Sequence, residues 1–168
     1  DISSTPTSAT ANGSSHQRSI RLSINAAFTH FPSLTSSRLH LRQIQPADAE
    51  ALFAIRSDRA VMDFYGEETH RSLEDTHALI QQIQASYEQR EALLWGITRK
   101  GEDIVIGSCT LFSFGPGAHY AETGYDLHPA YWRQGIMAEA MSALLTYGFS
   151  ELGLHRIEAA LDPRNTPS

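Results

Sequence analysis

The chain has 168 residues, 41% of them hydrophobic, a net charge of -6 and one cysteine, Cys109. Its size suits a single compact domain with a tail; the acidic balance without a stripe of Lys and Arg argues against a nucleic-acid surface, and one cysteine excludes an internal disulfide or a Cys-rich zinc site. No apolar run reaches the roughly 20 residues that cross a bilayer, so no membrane partner is expected and a reducing, cytoplasmic setting fits.

Residues 1–30 differ from everything after them. They are rich in Ser, Thr and Ala, carry no acid after Asp1 and have almost no large apolar side chain before Ile20, so they cannot bury enough surface to fold alone. We read them as a disordered leader, a non-native or translated upstream segment in preference to a Ser-rich transit peptide. From Arg38 the pattern changes. RLHLRQI, 38–44, alternates Leu39 and Leu41 with polar neighbours as a first strand does. Pro46 opens a helix over 47–57 with Ala51, Leu52 and Ile55 on one face. VMDFYG connects to a second helix from Ser72, whose pairing with Asp75 three residues on is a capping box; Leu79, Ile83 and Tyr87 form its apolar stripe to about Gln89.

Spacing then turns extended. Residues 93–99 and 104–114 read as a hairpin around Lys100 to Asp103, with Gly107 marking a bulge or a close approach. Residues 119–127, HYAETGYDL, are a fourth strand. The stretch from Tyr125 to Phe149 organises the chain: an extended run, a loop tipped by Arg133, Gln134 and Gly135, then a long helix opening at Ile136. Ile136, Ala140, Leu144 and Tyr147 make one stripe of that helix, and Met137, Met141, Leu145 and Phe149 the adjoining one. His155 to Leu161 is a fifth strand, so the helix is a parallel crossover in an α+β, or mixed α/β, domain of two mainly antiparallel layers with helices between them. A Gly-tipped loop feeding a helix start aims unpaired N–H groups and the positive dipole end at one spot, and such a spot binds phosphate.

LTSSRLHLRQIQPADAEAL, IGSCTLF, ETGYDLHPAYWRQGIMAEAMSALLTYGF and HRIEAALDPRNTPS, in this order and spacing, resemble the GNAT superfamily of acyl-CoA N-acyltransferases. The likeness is greatest to its RimJ/RimL-like branch of ribosomal-protein N-terminal acetyltransferases and covers about residues 31–168. It implies a central, mostly antiparallel sheet with splayed fourth and fifth strands and flanking helices, and direct transfer of acetyl from acetyl-CoA, as co-substrate, to a primary amine. The amine would be a protein N-terminal α-amine or a small molecule.

The family's loop pattern, Arg/Gln-x-x-Gly-x-Gly/Ala, falls on residues 132–137, with Trp132 first and Met137 last. By resemblance, Arg133, Gln134, Gly135, Ile136, Met137 and Ala138 cradle the pyrophosphate, Tyr125, Asp126 and Leu127 pair with the pantetheine arm, and Asn165 lies beside it. Glu122 matches a family base position, and Ser168 is the candidate acid, alternatively a helix N-cap. Family members continue past this point, which implies a chain cut short of a C-terminal helix and two strands. Strand five is then an edge that invites pairing with another chain, a homodimer among the options. Met137 and the missing end also leave open a CoA-binding module with little catalysis.

Other polar residues take plainer readings. His119, His128 and His155 lack metal-ligand spacing, and no metal is expected. Cys109 reads as core, Trp95 and Tyr125 as packing residues or, alternatively, lining of the acceptor cleft, and Glu50, Glu67 and Glu68 as a solvated surface or a cation-attracting rim.

Overall fold

Six strands form one sheet in the order β1 to β6 in a computed structural model that describes residues 23–159 together with Ser15, Arg18 and Ser19. β1 (Leu34–Thr35), β2 (Leu39–Gln43), β3 (Ala92–Arg99), β4 (Gly107–Phe112) and β5 (Tyr120–Leu127) are antiparallel neighbours, and β6 (Arg156–Ala159) runs parallel to β5. The expected two layers of strands are therefore a single sheet, with helices on both faces. β3 explains why: Leu93, Trp95 and Ile97 are fully buried in a core with Ile136, Ala140 and Leu144, while Leu94 packs in a second core with Leu52 and Ile80. Alternate strand residues face opposite ways. A strand covered on both sides reads as the near-continuous apolar run ALLWGIT.

The helices follow their sequence signals. α1 (Ala49–Arg56) starts after a 3-10 turn at Pro46–Asp48, and the short α2 (Arg59–Met62) occupies part of the expected connector. α3 (Leu73–Glu88) has the Ser72–Asp75 capping box, but its buried stripe centres on Thr76 and Ile80, with Leu79, Ile83 and Tyr87 half-buried. α4 (Ile136–Thr146) opens where expected and passes into a π turn at Tyr147–Glu151, which leaves Phe149 45% exposed instead of continuing the second stripe.

The leader expected up to residue 30 extends too far. Residues 23–27 are helical, and Ala27 and Phe28 lie in the main core. The Phe28 ring sits 5.6 Å from Tyr87 and 6.0 Å from Phe114, so aromatic packing orders this end against its local composition. Most residues before 23 lie outside the described ones, as do 160–168.

The register β4–β5 positions the site. Gly107 pairs with Leu127 without a bulge, and a Cβ there would stand 2.5 Å from the Asp126 carbonyl oxygen. The close-approach reading of Gly107 holds. Gly107→Ala forces these backbones apart, and we expect a loss of about 2 kcal/mol in unfolding free energy, read from chemical denaturation.

Candidate active site

The loop between β5 and α4 is shaped by local hydrogen bonds. A 3-10 turn at Pro129–Tyr131 leads into it, Trp132 Nε1 donates to the Leu127 carbonyl at 2.8 Å, and Gln134 Nε2 donates to the Ala130 carbonyl at 3.1 Å. Arg133 and Gly135 take left-handed backbone angles, φ 59 and 73, the second a conformation that glycine adopts without strain. Intrahelical bonding opens with Glu139 N–H donating to Gly135. The N–H groups of Ile136, Met137 and Ala138 precede that ladder and are left for an outside acceptor. Met137 packs its side chain against the core, so its bulk, unlike the Gly or Ala of the family pattern, does not fill the loop.

A clamp missed in the sequence reading holds this loop. Glu139, in the first turn of α4, accepts from the Ser36 hydroxyl at 2.6 Å and from Arg38 N and Nε at 2.9 and 2.8 Å, while Arg38 Nη1 donates to the Gln134 carbonyl at 3.1 Å. Ser36 and Arg38 hold the Glu139 carboxyl down to about 2. A first-turn carboxylate would oppose an anion at the helix end; here Arg38 stands against it, with Nη2 3.5 Å from the position of a Cβ on Gly135.

The strand segment expected to meet the pantetheine arm divides by parity. His128 N–H donates to Ile106 across β4, and the Asp126 carbonyl also points at β4. Alternate residues turn their backbone groups to opposite edges, so Tyr125 and Leu127 present theirs to the outer edge. The Leu127 carbonyl there is already taken by Trp132. Asp126 does not fit the expectation: its backbone serves β4, and its buried carboxylate accepts from the Ser108 hydroxyl at 2.8 Å and faces Arg56. The described pairing of β5 with β6 runs from Tyr120 to Thr123; any splay of the two strands past that point lies outside the described residues.

A cleft of about 810 Å³ opens beside Thr123, Gly124 and Tyr125, walled by Phe64, Tyr65 and Glu67 after α2, by Arg90 and Glu91 after α3, and by Phe112 and Phe114. Arg56 pins its outer wall. Only 3% exposed, it lies 3.1 Å from Asp126 and 3.0 Å from Glu67, with its guanidinium 4.4 Å from the Tyr65 ring centroid. The Arg56 Nε to Asp126 Oδ2 contact is Coulombic, since neither atom has a hydrogen-bond partner among the described residues. Burial pushes the Asp126 carboxyl up, with Arg56 and Ser108 pulling the other way. Burial also works against the Arg56 charge, but Asp126, Tyr65 and Glu67 outweigh it and hold the guanidinium above its ordinary value.

Glu122 stands one residue from the cleft but does not line it. Its carboxylate accepts from the Tyr120 hydroxyl at 3.1 Å, and the same hydroxyl lies 3.3 Å from Glu158 on β6. Asn165 and Ser168 lie outside the described residues. His119 and His155, far apart in sequence, stack with centroids 4.7 Å apart, yet no group of three metal-ligating side chains occurs among the described residues. Cys109 is fully enclosed and burial pushes its thiol up, as befits a core residue. Glu67 belongs to the cleft wall, which only the fold reveals, because α1 and β5 bring its partners together.

A family model described as an acetyltransferase (GNAT) domain matches residues 38–168. The chain is 39% identical over 138 residues to the uncharacterized N-acetyltransferase YoaA of Bacillus subtilis strain 168, covering 82% of this chain and 78% of that protein. It is 35% identical over 136 residues to the uncharacterized N-acetyltransferase p20 of Bacillus licheniformis, covering 81% and 76%. Among solved structures, an acetyltransferase of the GNAT family from Bacillus anthracis aligns with a TM-score of 0.72 at 31% identity, over 82% of this chain and 78% of that one. RimJ of Mycobacterium smegmatis, solved with CoA-disulfide, aligns with a TM-score of 0.66 at 25% identity, over 81% and 69%.

The Arg38–Glu139 clamp has a pH signature. Because the folded carboxyl titrates at about 2 and the ordinary value is 4.5, its stabilisation is complete above about pH 4.5 and is lost as pH falls through about 2. Arg38 is half exposed, so we expect Glu139→Gln to cost only about 1 kcal/mol at neutral pH. The gap between variant and wild type should close on acidification through that window, followed by denaturant titration at a series of pH values.

Proposed function

This chain belongs to the GNAT acetyltransferase family, which moves an acetyl group from acetyl-CoA to an amine, and we propose that its cleft accepts a cationic primary amine. The amine is a protein N-terminal α-amine, as in the RimJ/RimL-like branch, or one end of a small polyamine. One observation carries the reading: a phosphate-ready loop follows the end of β5, and a cleft with aromatic and acidic walls opens beside the middle of the same strand, at Thr123, Gly124 and Tyr125. In the walls of that cleft Glu67 and Glu91 outnumber Arg90, a negative excess that draws an ammonium.

The residues present fit the donor. The N–H groups of Ile136, Met137 and Ala138, the bare Cα of Gly135 and Arg38 suit a diphosphate, and the outer backbone groups of Tyr125 suit the amide-bearing arm. Bound acetyl-CoA supplies the activated thioester. The protein's part is to hold it against the amine and to take a proton, since an ammonium has no lone pair. Glu122 is our base, acting through a water from its place beside Thr123 and Gly124.

Calorimetry with acetyl-CoA tests the donor site. Wild type should bind saturably, and Gly135→Asp should weaken binding by roughly 100-fold, the factor that about 3 kcal/mol of backbone strain and charge repulsion supplies. Release of free thiol, followed with spermine and with a peptide bearing a free α-amine, tests the reaction. Glu122→Gln should lower kcat by about 100-fold, leave acetyl-CoA affinity unchanged and move the pH profile to the alkaline side. An unchanged kcat would assign the proton to another group.

A further inference from the structure

Tyr65 sits on the segment after α2 and reaches across the cleft to β5. Its hydroxyl oxygen lies 4.0 Å from the position a Cβ would take on Gly124, a residue whose lack of a side chain keeps that space open. Arg56 Nη2 donates to this oxygen at 3.4 Å, and the guanidinium stacks on the ring. The hydroxyl therefore accepts from Arg56, and among the described residues no group accepts its proton. An O–H whose oxygen is polarised by a cation is a strengthened donor.

The location matters as much as the chemistry. A donor molecule anchored at the loop before α4 and running back along the outer edge of β5 passes Leu127 first and Tyr125 next. Its thioester end arrives at Tyr125 and Gly124, where the cleft opens. We propose that Tyr65 is a catalytic residue, donating a hydrogen bond to the oxyanion that forms when the amine attacks the thioester, and that Arg56 is the residue positioning its hydroxyl. This rests on the acetyl-transfer reading above.

The amine nitrogen forms the C–N bond as the carbonyl π pair moves onto oxygen, where Tyr65 holds it without giving up its proton. Collapse breaks the C–S bond, the electron pair leaves on sulfur, the nitrogen proton passes to the base, and the thiolate is protonated from solvent. Donation rather than proton transfer is the fitting role. Burial raises the Tyr65 phenol above its ordinary value of 10.0, with Arg56 opposing, whereas a thiol titrates near 8.5, so the phenol is a poor acid toward the departing sulfur.

Tyr65→Phe removes the hydroxyl and keeps the ring under Arg56. With spermine and an N-terminal serine peptide as acceptors, we expect kcat to fall by about 100-fold or more, as for loss of one oxyanion donor, while KM for the acceptor and calorimetric affinity for acetyl-CoA stay within about twofold. A purely structural tyrosine would instead change both KM and affinity. A variant kcat within about twofold of wild type, with wild type active, overturns the role of Tyr65 alone. Wild type that binds no acetyl-CoA, or acetylates neither acceptor, overturns the acetyl-transfer reading and this role with it.

Discussion

One buried guanidinium holds the working side of this molecule together. Arg56 ends α1, yet it touches Asp126 on β5 and Tyr65 and Glu67 beyond α2, so three separate stretches depend on one charge. Such an arrangement stabilises only as a complete set. Each ion loses its hydration on burial, and removing one partner leaves the others uncompensated at a cost of about 3–5 kcal/mol. The cleft wall is thus fixed to β5, the strand that leads into the loop before α4, and among the described residues a small cluster of Ile55, Val61 and Met62, with Tyr65 against it, lies beneath.

A second charge arrangement works on the loop. Glu139 would compete with any anion at the start of α4, but Ser36 and both the backbone and side chain of Arg38 engage it from the turn between β1 and β2. The same guanidinium also reaches the Gln134 carbonyl. Fixing α4 to the β1–β2 turn sets the direction of its first three N–H groups, and the wide apolar face of Ile136, Ala140 and Leu144 keeps the helix seated. Preorganisation of this kind lets a backbone loop bind charge without paying for reorganisation at each encounter.

Much of the fold was legible because its signals are local. Ser72 with Asp75, Pro46 before α1, Gly135 before Ile136 and the alternation in 120–127 each specify an element through caps, turn angles or side-chain period. The failures share a cause. Phe28, directly after the helical turn at 23–27, is held by Tyr87 and Phe114 against the composition of its stretch, and the stripe of α3 moved to Thr76 and Ile80 because the partner face decides which residues are enclosed. That the Asp126 carboxylate faces Arg56 and Ser108 was not legible either, because a distant arginine and the seating of the sheet decide it.

The sequence by itself determined the Gly-tipped loop before α4, the crossover from β5 through α4 to β6 and the family, since all three rest on residues close in the chain whose backbone geometry glycine, proline and hydrophobic period dictate. Only the tertiary structure decided what stands over the loop and around the cleft. Arg38 meets Glu139 across 101 positions, and Arg56 gathers Tyr65 and Glu67 from the stretch after α2 and Asp126 from β5. Those meetings depend on sheet order and helix seating, and no spacing along the chain encodes them.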